Sequence, residues 1–145
     1  MKRMLLTVAA IVSMGTWASA DEWLTDYSQA LAASKTQNKP VLMDFTGSDW
    51  CGWCMKLDRE VFEKPEFKSY AAQRFILLKV DFPRGKTLAA KEKAQNEQLA
   101  SQYGIQGFPT LVVLKPDGSK AGELGYVPGG PKAFIAELEK VAPAK

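Results

Sequence analysis

Residues 41–54 read VLMDFTGSDWCGWC and contain both cysteines of this 145-residue chain. The apolar run 41–45 predicts a short buried strand, and a helix is predicted to begin near Cys51 and to run toward Phe62. A thiolate in the first turn of a helix is stabilised by unpaired N–H groups and by the positive end of the helix dipole. The second cysteine, Cys54, lies one turn deeper and can attack a mixed disulfide formed by Cys51. The arrangement therefore favours thiol–disulfide exchange.

Two other uses of a cysteine pair are weighed against redox chemistry. Cysteines in an oxidising compartment usually form a structural disulfide, but a bridge across two intervening residues closes a loop too small to restrict the unfolded chain much. A structural zinc site normally takes four Cys or His ligands, and the chain has two cysteines and no histidine. We expect a redox-active disulfide between Cys51 and Cys54, with no metal and no other cofactor.

The N-terminus has the pattern of an export signal. Lys2 and Arg3 precede the apolar run 4–12, and the small residues Ala18-Ser19-Ala20 follow. This pattern predicts a secretory signal peptide over residues 1–20 and a mature domain over residues 21–145. An uncleaved membrane anchor is the alternative, and the shortness of the apolar run argues against it.

Composition and charge are those of an ordinary globular protein. The chain is 46% hydrophobic and 24% charged, which suits one domain with a real core. The formal net charge is +3, and it falls to +1 without residues 1–20, because 17 basic residues then face 16 acidic ones. A balance this small gives no reason to expect a nucleic-acid partner.

The apolar periodicity predicts the order helix, strand, helix, strand, helix, strand, strand, helix, with a second short helix from Pro65. The order implies an α/β fold with a central mixed β-sheet flanked by helices on both faces, the first two strands parallel and the last hairpin antiparallel. Strands are expected at 41–45, 75–81, 110–114 and 120–125, and the main helices at 23–37, 51–62, 87–103 and 131–141. The strand 75–81 is apolar enough to be central.

For two of the helices, the sequence also predicts which side chains point inward. In the helix 51–62, Cys54, Leu57 and Val61 are expected to face the core. The residues expected to face water there are Lys56, Asp58, Arg59 and Glu60. In the helix 87–103, a thin apolar stripe of Leu88, Ala94 and Leu99 is expected to face inward.

Three segments together resemble the thioredoxin family. They are Asp44-Phe45 before Trp50-Cys51-Gly52-Trp53-Cys54, then Lys79-Val80-Asp81, and then Tyr103-Gly104-Ile105-Gln106-Gly107-Phe108-Pro109-Thr110. The resemblance extends from about Val41 to Val141 and implies a thioredoxin-like fold. The chain looks most like exported bacterial thioredoxin-like domains, including the C-terminal periplasmic domain of the disulfide-interchange protein DsbD.

The position of the two cysteines and the resemblance together indicate catalytic roles. Cys51 is expected to be the attacking nucleophile and Cys54 the resolving thiol. By resemblance, Asp44 lies behind the resolving cysteine and assists its deprotonation, with Lys79 as its partner. The alternatives are that Asp44 begins a turn and that the amine of Lys79 reaches solvent.

Substrate contacts are expected from four residues around the cysteines. Trp50 and Trp53 offer flat apolar surfaces to a peptide partner, although core packing explains each equally well. The resemblance implies that Pro109 is the family's cis-proline. A cis bond there turns the backbone of Phe108 toward Cys51, where it can pair with an extended substrate segment.

Two departures from thioredoxin bear on the direction of electron flow. The loop between Asp44 and Cys51 is one residue longer, and the central dipeptide is Gly52-Trp53 where thioredoxin has Gly-Pro. Because that dipeptide is a main determinant of reduction potential in such proteins, the direction stays open. The chain has no histidine to acidify Cys51 in the way strong oxidants do, which favours a reductant or an interchange role.

We therefore expect a periplasmic thiol:disulfide oxidoreductase that exchanges its disulfide with cysteines of exported proteins. Such a reductase needs electrons from outside, which implies a membrane electron-transfer partner. A thiol-based binding module, acting as a client chaperone or holding copper(I), is the alternative from another class. An isomerase is disfavoured, because the single domain lacks a segment for dimerisation, and a monomer is expected.

Overall fold

A computed structural model describes residues 23–144 and places a four-stranded sheet between two groups of helices. The strands are β1 (Val41–Thr46), β2 (Ile76–Asp81), β3 (Thr110–Leu114) and β4 (Lys120–Leu124). The helices are α1 (Tyr27–Gln37), α2 (Gly52–Leu57), α3 (Pro65–Arg74), α4 (Ala90–Gln102) and α5 (Gly130–Val141), and α2 continues into one π-helical turn, Asp58–Phe62. The predicted signal peptide, residues 1–20, lies outside the described residues.

The sheet has the order β2-β1-β3-β4, with β1 and β2 parallel and the other neighbours antiparallel. This confirms the predicted mixed sheet, because a helical crossover joins the parallel pair and a tight turn joins β3 to β4. None of the helices within residues 23–144 is long and apolar enough to cross a membrane.

β1 is buried along its whole length because helices cover both faces of the sheet. Leu42 packs in the core under α2, α3 and α5, whereas Met43 and Phe45 pack in the core under α1 and α4. Side chains alternate along a strand, so Asp44 and Thr46 lie on the Leu42 face, toward α2. The fold thus buries a carboxylate beneath the helix that carries the cysteines.

β2 is an outer strand, so the prediction that it is central was wrong. Its apolar sequence reflects cover on both faces, and its outer edge pairs with the extended segment around Leu24. The N–H of Leu24 donates to Leu77 O (2.9 Å), and the N–H of Lys79 donates to Leu24 O (2.8 Å). These bonds hold Leu24 outside α1. That helix begins at Tyr27 rather than Trp23, because the side chain of Asp26 caps it.

The long polar helix also differs from its prediction. α4 begins at Ala90, later than residue 87, and Ala94 is exposed where an inward position was expected. The inward residues are Asn96 and Leu99. The amide of Asn96 donates to the main-chain oxygen of Asp81 (2.9 Å), so a buried polar contact fixes which face of the helix packs on the sheet.

Candidate active site

The cysteine pair lies where the chain passes from β1 into α2. Cys51 is the N-cap residue of α2, and its sulfur accepts a hydrogen bond from the N–H of Cys54 at 3.2 Å. The two residues are joined by a disulfide, with their Cα atoms 5.2 Å apart. Cys51 is 7% exposed and Cys54 is 2% exposed, so Cys51 is the more exposed of the two residues, as the sequence predicted.

The loop that leads to Cys51 is fixed by the end of β2. The N–H and hydroxyl of Ser48 donate to the carboxylate of Asp81 at 3.0 and 2.6 Å, and the N–H of Cys51 donates to Gly47 O at 2.9 Å. A Cβ at Gly47 would lie 2.5 Å from the ring of Trp50, so only glycine lets that ring lie over the loop. The loop therefore presents Cys51 in one position.

Trp50 joins three loops around the disulfide. Its indole N–H donates to Phe82 O (2.7 Å) in the loop after β2, and its ring meets Phe108 edge-on, with centroids 5.9 Å apart. The guanidinium carbon of Arg84 lies 3.7 Å from the centroid of the indole. These contacts give Trp50 a structural role in addition to any contact with a substrate.

Trp53, in contrast to Trp50, is largely exposed to solvent. Within residues 23–144 it is the one large apolar side chain that is mostly exposed, at 59%. Its ring leans on Tyr126, with centroids 5.1 Å apart, and the hydroxyl of Tyr126 donates to Glu60. Lys56 pairs with Glu60 at 2.8 Å. A supported but uncovered indole next to the disulfide is an apolar contact surface for a partner.

The segment before β3 completes the rim. The Phe108–Pro109 peptide bond is cis, and the ring of Phe108 stacks on Phe82 with centroids 5.2 Å apart. Because Phe108 also meets Trp50, the segment lies beside the active-site loop.

Asp44 is a buried acid with an unsatisfied oxygen. It is 1% exposed, and its Oδ1 has no hydrogen-bond partner among the described residues. Burial and, after it, the charge of Asp58 raise the pKa of Asp44, Lys79 opposes them, and the net result is a pKa of about 8. Asp44 lies within β1, so the alternative that it begins a turn was wrong.

Lys79 lies opposite Asp44 in the parallel register of β1 and β2. Its ammonium sits 5.6 Å from the ring centroid of Trp23. It also lines a cavity of about 190 Å³ together with Asp58 and Trp23. Lys79 is half-buried, so its charge acts on the carboxyl groups beneath α2 while it keeps a path to water.

Asp58 was missed as a site residue. It was expected to face water, but it is half-buried, and burial raises the pKa of its carboxyl. Its N–H donates to Cys54 O, so it follows Cys54 by one turn on the same helix. Its spacing of four residues from Cys54 is the signal that could have identified it, because such residues share a helix face. No cluster of three metal-binding side chains occurs among the described residues.

Comparison with known proteins agrees with this geometry. Residues 27–142 match the family described as a thioredoxin-like domain. The chain belongs to the thioredoxin-like family. It is 34% identical over 122 residues to the disulfide bond reductase DsbH of Chlamydia pneumoniae, which covers 84% of this chain and 74% of that protein.

Solved structures give the same result for this thioredoxin-like protein. A structure described as DsbH oxidoreductase superposes with a TM-score of 0.81 at 30% identity, covering 96% of both chains. The oxidised C-terminal domain of DsbD from Neisseria meningitidis gives a TM-score of 0.58 at 26% identity, covering 82% of this chain and 98% of that domain. With a disulfide at the start of α2, the chain is a thiol:disulfide oxidoreductase of this family.

Proposed function

We propose that this protein acts outside the cytoplasm and reduces or exchanges disulfides of exported proteins through Cys51 and Cys54. The observation that carries the proposal is the disulfide at the N-cap of α2, with Cys51 the more exposed of the two residues and the exposed indole of Trp53 beside it. The exporting pattern of residues 1–20 supports the location. In this proposal a partner docks against Trp53 and the rim segment Phe108–Pro109.

The reaction begins from the dithiol form. The thiolate of Cys51 attacks one sulfur of the client disulfide, a mixed disulfide forms, and the other client sulfur leaves as a thiolate and takes up a proton. The thiolate of Cys54 then attacks the sulfur of Cys51, and the second client sulfur leaves. Two electrons have passed to the client, and the Cys51–Cys54 disulfide has formed.

In this reaction Asp44 is proposed to take the proton of Cys54. A general base works best when its pKa lies near the operating pH, and the pKa of Asp44 is raised to about 8. Asp44 faces the side of the sheet that α2 covers, and Asp58, one turn after Cys54, acts on it electrostatically. Lys79, opposite Asp44 in the sheet, is proposed to stabilise the carboxylate once the proton has left.

The reducing direction is proposed for two reasons. The chain has no histidine to stabilise the Cys51 thiolate in the way that strong oxidants use, and it is similar over most of its length to a disulfide bond reductase. Each turnover leaves the protein oxidised, so a membrane partner that returns two electrons to Cys51–Cys54 is part of the proposal.

The reduction potential of the Cys51–Cys54 pair is the direct test. Equilibration with glutathione or dithiothreitol buffers should give a value nearer to that of thioredoxin, about −270 mV, than to that of a strong oxidant, about −120 mV. A value near −120 mV would overturn the reducing direction. The reduced protein should also precipitate insulin by reducing its disulfides, and Cys51→Ala should not.

Location is tested separately. Residues 1–20 fused to an alkaline phosphatase that lacks its own leader should give active enzyme, since that enzyme folds only after export. An inactive fusion with a normal amount of protein would contradict the proposed location without touching the chemistry.

A further inference from the structure

The loop that follows β2, residues 82–86, is held against the active-site loop by the side chain of Asp49. The two carboxylate oxygens of Asp49 accept the N–H groups of Arg84 (2.9 Å) and Gly85 (2.7 Å). These bonds lower the pKa of Asp49, so the carboxylate stays charged at neutral pH. A Cβ at Gly85 would lie 2.9 Å from Asp49 Oδ2, so glycine permits the close approach.

Further contacts hold the same loop at its two ends. Phe82 stacks on Phe108 at one end, and Lys86 pairs with the carboxylate of Asp81 across 3.4 Å at the other. The main-chain oxygen of Phe82 also accepts the indole N–H of Trp50. The loop is therefore built to keep one shape, and the position of Arg84 within it is set by the fold.

The guanidinium of Arg84 rests on the residue that precedes the nucleophile. Its central carbon lies 3.7 Å from the ring centroid of Trp50, while the other cation–ring distances in the described part of the chain are 5.6 to 6.0 Å. Stacking on an indole is favourable and leaves the edge N–H donors of a guanidinium free to point outward.

The charge of Arg84 is not neutralised within residues 23–144. No carboxylate oxygen of these residues lies within ion-pair distance of its guanidinium, and the side chain is exposed. The two nearby acids have other partners, since Asp49 accepts two backbone N–H groups and Asp81 is bound by Ser48 and Lys86. A cation held over Trp50, the residue before Cys51, is thus left for a group that comes from outside.

We propose that Arg84, stacked on Trp50, selects client segments that carry an aspartate or glutamate next to the cysteine. The proposal rests on the proposed exchange reaction at Cys51 and names the class of substrate that this site prefers. A carboxylate suits the planar donor edge of a guanidinium, which it can engage with two parallel hydrogen bonds. Trp53, which is exposed and packs on Tyr126, then contributes apolar contact without a charge preference.

The test uses the Cys54→Ala variant, in which Cys51 can form a mixed disulfide but cannot release it. Two peptides are compared, identical except for Asp or Lys beside a cysteine that is activated as a 2-thiopyridyl disulfide. The Cys51 thiolate attacks the peptide sulfur, an S–S bond forms, and the uncharged thiopyridone leaves and is followed by its absorbance. The ratio of the two rates cancels any effect on the thiol itself or on the amount of folded protein.

We expect the Asp peptide to react about fivefold faster than the Lys peptide, the size that one exposed ion pair can supply. Arg84→Glu should reverse the preference, and Arg84→Lys should keep part of it, because a charge remains while the planar stack is lost. Raising the ionic strength should weaken the preference. The matched control is Lys115→Glu, which makes the same change of charge on an exposed residue at the far end of β3.

A ratio near one in the parent variant, or a ratio that Arg84→Glu leaves unchanged, would overturn the inference. Arg84→Glu could instead slow the reaction of Cys51 with both peptides equally and also slow its reaction with iodoacetamide, an uncharged reagent. Arg84 would then act on Cys51 and not on the client, and this result would also overturn the inference. Failure of the proposed function would look different. The protein with both cysteines reduced would then leave insulin intact, even though the Cys54→Ala variant still forms mixed disulfides with the peptides at normal rates.

Discussion

The N–H of Cys54 donates to the sulfur of Cys51 across 3.2 Å, at the first turn of α2. In the reduced protein the same donor, with the positive end of the helix, stabilises a thiolate at Cys51. Cys54 is the more buried residue and is 2% exposed. The two cysteines are therefore chemically distinct, and substitutions should separate their roles.

Cys51→Ala is expected to abolish insulin reduction and to form no mixed disulfide, because the more exposed cysteine is gone. Cys54→Ala is expected to abolish turnover but to accumulate a mixed disulfide at Cys51, which mass spectrometry of the non-reduced protein detects. If the Cys51→Ala variant accumulated a mixed disulfide at Cys54 as fast as the Cys54→Ala variant accumulates one at Cys51, the assigned order of attack would be contradicted.

Asp44 should make the protein less stable as the pH rises. Its pKa is about 8 in the folded chain and 3.8 when unperturbed. Between those values the unfolded chain has released the proton that the folded chain still holds, so the free energy of unfolding falls as the pH rises through this window. Above pH 8 the folded protein carries a buried charge and the penalty is complete.

The isosteric change Asp44→Asn should remove this dependence. At pH 8.5 the variant should be more stable than the wild type by about 5 kcal/mol, and near pH 4 the difference should be close to zero. Urea unfolding of both oxidised proteins at several pH values measures it. A difference that does not change with pH would mean that Asp44 titrates normally in the folded chain.

Asp58 should control the titration of Asp44. Its charge is the second cause, after burial, of the raised pKa of Asp44. Asp58→Asn should therefore lower the pKa of Asp44, which the carboxyl carbon resonance of Asp44 reports directly in an NMR titration. Asp117→Asn, at the exposed turn between β3 and β4, is the matched control and should leave that resonance unchanged.

Trp53 and Trp50 should respond differently to the same truncation. Trp53→Ala should reduce kcat/KM for insulin several-fold with little loss of stability, because the indole is 59% exposed. Trp50→Ala should lower the free energy of unfolding by about 3 kcal/mol, because it removes a packed indole that bonds to Phe82 O. Urea unfolding and insulin assays on both variants give the comparison. Equal loss of stability in the two would contradict the structural role assigned to Trp50.

The fold could be predicted because its signals are local. Three short stretches each predicted an element that the structure contains. They are the turn at Pro116-Asp117-Gly118, the apolar run of β1 and the cysteine pair at the start of α2. The position of β2 could not be predicted in the same way. An outer strand covered on both faces and along its edge by Leu24 has the same apolar composition as a central strand.

The site was only partly predictable for a related reason. Asp44 and the cysteines stand out in the sequence because a carboxylate in an apolar strand and a close cysteine pair are unusual. Asp58 and Arg84 do not stand out, since each is one charged residue among many in a polar stretch. Asp58 is distinguished by its half-buried position at the start of the π-helical turn, and Arg84 by the hydrogen bond from its N–H to the carboxylate of Asp49. Both features depend on tertiary contacts.

The pairing of Leu24 with β2 protects an edge of the sheet. An uncovered strand is a template on which another polypeptide can extend a sheet. Here the two hydrogen bonds of Leu24 occupy the outer side of β2, and the opposite margin is the short β4, with charged Lys120 and Glu123. Within the described residues, the two margins of the sheet thus offer a second polypeptide little opportunity to add a strand.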